Sequence, residues 1–67
     1  MKIEFDKDID AAYIYIEDSN DDKKSEKTIE VNKDIILDFN SEEKLIGIEV
    51  LNASKNLTKS FLTKNLA

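Results

Sequence analysis

The chain has 67 residues, 15 of them acidic and 10 basic, for a formal net charge of −5. It contains neither cysteine nor histidine, which removes disulfides, thiolate metal sites, cysteine nucleophiles and the commonest general base. Every basic residue is lysine, and without arginine forks or a basic surface nucleic acid is not an expected partner.

A chain this short is expected to be a single domain, 1–67, near the lower end of what folds unaided. The opening MKIEFDKDID has no apolar run of signal-peptide length, and no later stretch approaches a membrane span. A soluble cytoplasmic protein is the expectation. The charge is uneven: residues 1–51 hold all 15 acids and seven lysines, a balance of −8, while 52–67 carry Lys55, Lys59 and Lys64 and no acid. Cations placed late in a terminal helix would complement its dipole.

In chain order, Ile3 and Phe5 alternate with Lys2 and Glu4, a short strand by the period-two rule. Asp6–Asp10 reads as a turn. In AAYIYIE, Ala12, Ile14 and Ile16 point one way and Tyr13, Tyr15 and Glu17 the other. DSNDDKKSEK, residues 18–27, has no apolar residue and reads as an exposed loop. Ile29 and Val31 mark a third strand, with Asn32–Lys33 as a tight connection. Ile35, Leu37 and Phe39 share a face of a fourth, opposite Ile36 and Asp38. After the turn NSEEK, a fifth strand puts Ile46, Ile48 and Val50 on one face and Leu45, Gly47, Glu49 and Leu51 on the other. The period then changes. Asn52 is a good N-cap, and Ala53, Leu57 and Phe61 recur at four-residue steps. Short connections favour an antiparallel meander, so the expected architecture is α+β: about five strands over 1–51, and one C-terminal helix over 52–67 packed on one face.

DKDIDAAYIYIE, from Asp6 to Glu17, places carboxylates as an EF-hand calcium loop does. Its sixth position is Ala11 where the sharp turn needs glycine, and its last third alternates like a strand. The stretch is read as a turn leading into a strand, with no metal or cofactor expected. Glu17, Asp38 and Glu49 share a sheet face, where neighbouring carboxylates can raise one another's pKa. A sheet this small offers little depth for a pocket, so a solvated face is the simpler reading.

The face away from the helix carries Tyr13, Tyr15, Ile36, Leu45 and Leu51. Together with Leu62 and Leu66, which lie well round the helix from Leu57 and Phe61, these form a candidate interface, since tyrosine-bearing apolar surface marks contact sites.

MKIEFDKDIDAAYIYI, a loop, and TIEVNKDIILDFNSEEKLIGIEVLNAS together resemble the family known as domain of unknown function 2283. The pattern falls on Asp6, Asp10, Tyr13, Ile14, Asp38, Gly47, Ile48, Glu49, Ala53 and Ser54, over Met1 to about Leu57. GIEVLNAS is its most specific part. Phe5 stands for the usual Tyr, Asn52 for the usual Asp, and SEE fills a turn that commonly carries Gly. The resemblance implies a small β-rich protein with no settled activity. Some members are reported beside small toxin-like genes, so the resemblance also implies an antitoxin-like partner role. Asp6 and Asp10 would then cap turn amides, Gly47 would make room for a tyrosine or a backbone, and Ser54 would support the helix start.

The expected function is therefore a non-enzymatic protein-interaction module, self-associating as a homodimer or larger oligomer, with a basic protein as a further partner. The alternative is a carboxylate- or metal-dependent enzyme, or a metal-binding protein, built on Asp6, Asp8 and Asp10.

Overall fold

The computed structural model describes residues 1–16 and 25–65. Glu17, Leu66 and most of the expected 18–27 loop lie outside them. Five strands form where the alternation predicts: β1 Lys2–Asp6, β2 Ala11–Tyr15, β3 Lys27–Glu30, β4 Ile35–Phe39 and β5 Leu45–Leu51. All neighbours run antiparallel.

The register follows from which side chains must share a face. One row crosses the whole sheet as Ile3, Ile14, Ile48, Leu37 and Ile29, and a second runs Phe5, Ala12, Val50 and Ile35. On the opposite face the rows read Lys2, Tyr15, Gly47, Asp38, Thr28 and Glu4, Tyr13, Glu49, Ile36, Glu30. A one-residue slip anywhere would exchange the two sets.

The strand order is β1-β2-β5-β4-β3, which corrects the simple meander expected. A meander would seat β3 beside β2, but β5 takes that place. The reason is two-sided burial: Ile46, Gly47 and Val50 of β5 are all buried, whereas every residue of β3 is exposed. The strand with least to bury goes to the edge. From β2 to the far edge is three strand spacings, about 14 Å, well within reach of the 16–26 connection.

The C-terminus is corrected too. Two short helices, α1 Ala53–Asn56 and α2 Lys59–Lys64, replace the single expected helix. The chain is extended at Leu57 (φ −119°, ψ 152°), and the Thr58 side chain accepts a hydrogen bond from the Phe61 amide, starting α2 anew. A continuous helix could not aim both Leu57 and Leu62 at one target. The break lets both pack against the buried cluster of Ala12, Val50 and Ala53, alongside Phe5, Ile35 and Ile48. Both helices thus serve the isoleucine-rich face. Lys55 and Lys64 stand in the last turns of α1 and α2, the dipole-complementing positions. Among the described residues the buried apolar ones are few: Ala12, Ile46, Val50 and Ala53.

Two turns carry their own locks. Asn32 Oδ1 accepts from the amides of Asp34 and Ile35. Asn40 Oδ1 accepts from those of Glu42 and Lys44, and Glu43 adopts a left-handed backbone, φ 62°.

Candidate functional site

The helix-free face is organised around a glycine. A Cβ on Gly47 would collide with the Tyr13 ring and its hydroxyl, so the absent side chain is what lets the ring reach over β5. Across that gap the Tyr13 hydroxyl donates to Asp38 Oδ2 on β4 at 2.5 Å. One side chain thereby ties β2 to β4 over the strand between them. Burial pushes the Tyr13 phenol well above its ordinary pKa, and its bond to Asp38 and the negative charge of Asp38 and Glu49 add to that. The phenol is held protonated.

Tyr15 does a smaller version of the same thing at the edge. Its hydroxyl donates to Glu4 Oε1 at 2.9 Å, which together with slight burial raises its pKa. The two rings lie with centroids 4.6 Å apart and planes at 39°. Lys2 Nζ sits 5.5 Å from the Tyr15 centroid and 3.3 Å from Glu4 Oε2. Beside Tyr13 is an open depression of about 180 Å³, lined by the acidic Glu4, Asp6 and Glu49 together with Ile9. Asp38 and Glu49 do share this face, as the alternation predicts. Asp38 is spent on Tyr13.

The structure sorts the interface candidates. Tyr13, Tyr15, Ile36, Leu45 and Leu51 are half-buried, covered in part by their own neighbours. Leu62 turns instead onto the core beneath α1 and α2, so it belongs to the packed face. The large apolar residues left most open are elsewhere: Met1, Ile9, Ile16, Ile29 and Val31.

The Asp6/Asp8/Asp10 cluster does not converge. Asp6 Oδ1 accepts from the Asp8 amide, closing the turn as expected. Asp10, in a left-handed conformation with φ 55°, faces the other way. Its Oδ1 accepts from the Ser54 amide at 3.0 Å, its Oδ2 from the Ser54 hydroxyl at 2.8 Å, and its carbonyl from the Ala53 amide. Among the described residues no three acidic side chains assemble as a metal site would require. Asp10 is thus the cap of α1, the role expected of Asn52, whose own side chain makes no capping bond.

Sequence reasoning missed Asp34 altogether. It is buried, and its two carboxylate oxygens accept from Asn52 Nδ2 and Asn56 Nδ2, both at 3.0 Å. These amide hydrogen bonds, Asn56 first, hold its pKa below the usual carboxylate range. Its carbonyl also accepts from the Leu51 amide. The available signal was the four-residue spacing of Asn52 and Asn56, which puts both amides on one side of a helical turn.

A family model described as a protein of unknown function (DUF2283) matches residues 2–54. An uncharacterized protein of Methanocaldococcus jannaschii is 41% identical over 68 residues, covering 98% of this chain and 54% of the relative. The chain therefore spans about half the length of that curated relative. No solved structure matches it.

Proposed function

The chain belongs to the DUF2283 family, and from that premise we propose that it is a non-enzymatic protein-interaction module. In this reading the tyrosine-bearing face docks a basic protein, in an antitoxin-like, neutralising role. One observation carries it: most of the polar residues of the family pattern, Glu49 excepted, are consumed in holding the fold together. Tyr13 is bonded to Asp38 over Gly47, Asp10 to Ala53 and Ser54, and Asp6 to its own turn. A phenol held protonated and carboxylates already accepting hydrogen bonds are poor general bases. They are good pins.

What the pins leave to solvent is a small surface of mixed character, with tyrosine rings, Ile36 and Leu51 framed by Glu4, Asp6, Glu30 and Glu49. Interface cores favour tyrosine, and an acidic frame both steers a basic partner in and rejects acidic ones. Two copies of so acidic a face repel, so the expected occupant is a different protein.

The test is capture from native lysate by the immobilised chain and by two variants, Ile36→Asp and Glu49→Lys, with circular dichroism confirming that each folds. The reading expects a basic partner held by the wild type and lost from both variants. Equal capture of every bound protein by all three would overturn it.

A further inference from the structure

The edges of the sheet differ. In β1 the apolar residues Ile3 and Phe5 are half-buried and the rest are charged. In β3 all four residues are exposed; Ile29 retains 42% of its accessible surface, and Val31, just beyond, 58%. An edge strand that shows apolar side chains and unpaired backbone is a template for another strand. We propose that β3 pairs antiparallel with β3 of a second copy across a two-fold axis, giving a continuous ten-stranded sheet. This surface is distinct from the tyrosine face and independent of what docks there.

Backbone parity carries the argument. The Val31 amide donates to the Ile35 carbonyl, and the β3–β4 register places Ile29 opposite Leu37. The odd-numbered residues therefore direct their amides and carbonyls inward to β4, and Thr28 and Glu30 direct theirs outward. The Glu26 amide is also turned inward, to the Phe39 carbonyl. Each copy thus offers the outward groups of two residues.

Three symmetric registers bring such groups together. Thr28 opposite Thr28 forms two bonds and sets Glu26 against Glu30 of the other copy. Glu30 opposite Glu30 also forms two bonds and sets like charges face to face, which is destabilising. Thr28 opposite Glu30 forms four bonds, opposes no like charges directly, and places Ile29 against its own counterpart in the close, non-hydrogen-bonded position. Only this last register uses every outward group of both copies. That self-complementarity is why the occupant is a second copy. The two-fold stands perpendicular to the sheet, so both tyrosine faces emerge on the same side.

Sedimentation velocity on the full chain across a dilution series tests the pairing, expecting a dimer of 7.7 kDa chains. Thr28→Pro removes an outward amide that the chain's own ladder does not use. It is expected to weaken dimerisation at least tenfold with the circular dichroism unchanged. The chain has no cysteine, so a second assay is clean. Ile29→Cys should oxidise to a covalent dimer, because the paired Cα separation of about 4.5 Å suits a disulfide. Val31→Cys, which this register sets against Lys27, should cross-link at least tenfold more slowly. A wild type that is monomeric throughout, or equal cross-linking at both positions, overturns the proposal. Partner capture through the tyrosine face can survive either result, so the two readings fail separately.

Discussion

The two faces of the sheet are held by different physics. The isoleucine-rich face uses the hydrophobic effect: Ala53, Leu57 and Leu62 cover Ala12 and Val50 with two short helices. The tyrosine face has no described element over it, and it is held by side chains that span strands and satisfy one another. A chain of this size buries little apolar surface, and one core leaves it marginal. The second face shows how the deficit is met, with directional hydrogen bonds laid over a glycine. Packing tolerates small adjustments, whereas a pinned face depends on a few atoms.

The comparison breaks most sharply at Gly47. Gly47→Ala forces a methyl group into the Tyr13 ring, adding an overpacking cost of about 1–3 kcal/mol to the loss of the bond to Asp38, about 1–3 kcal/mol. Urea denaturation should find a variant close to unfolded. The same change made in a Tyr13→Ala background should cost far less, because the ring it collides with is gone; additive effects would mean that ring and glycine are uncoupled.

Next come the two tyrosines. Tyr13→Phe strands the buried Asp38 carboxylate and should destabilise by about 1–3 kcal/mol. Tyr15→Phe, at the exposed rim, should stay within about 0.5 kcal/mol. Similar losses for both would erase the distinction between pin and rim. Alkaline titration reads the same bond. The folded Tyr13 pKa lies above the unfolded value of roughly 10, so the stabilisation is present below that pH and is lost as pH rises beyond it. Phenolate absorbance of Tyr13 should emerge together with unfolding and not before.

On the helical side, Asp10→Ala removes the cap of α1 and should cost about 1 kcal/mol, with Ser54→Ala adding little once Asp10 is gone. Full additivity of the pair would argue that they do not act on each other. Asp34 gives an acid limit. Its folded pKa lies below the unfolded value of roughly 3.9, so its contribution is complete above that pH and fades as pH falls through the lower folded value. Asp34→Asn should flatten the acid limb of a stability–pH curve, and an unchanged limb would assign acid sensitivity elsewhere. A modest effect of the opposite sign is expected at Glu43, where φ is 62°. Glu43→Gly should stabilise by about 0.5–1 kcal/mol by relieving a left-handed conformation that side chains disfavour.

Much of this was legible in advance, and the reason is locality. A period of two in Ile3–Phe5, Ala12–Ile16, Ile35–Phe39 and Leu45–Leu51 fixes both the strands and their faces, because a strand alternates regardless of its neighbours. That Gly47 makes room for a close approach, by a tyrosine or a backbone, was implied by the family resemblance, and the structure shows the tyrosine. Asp10 was read as a cap, but its target was wrong. The Ser54 amide that its side chain serves lies 44 positions away, and no spacing rule reaches that far. Asp34 went unnoticed because its amide donors lie 18 and 22 positions away; the spacing of Asn52 and Asn56 pairs the two amides but does not point to their acceptor.

The amino-acid sequence by itself determined where the strands run, which side chains share a face, and that few chemically reactive groups are present at all. The tertiary structure alone decided that β5 takes the place beside β2 and sends β3 to an open edge. It also decided that the terminal helix breaks at Leu57 and that Asp10, Asp38 and Asp34 become ties between distant segments. Alternation is a property of a few consecutive residues. Strand order and long-range capping depend on which distant segments bury the most surface and satisfy the most hydrogen bonds when brought together, and that comparison exists only in the folded chain.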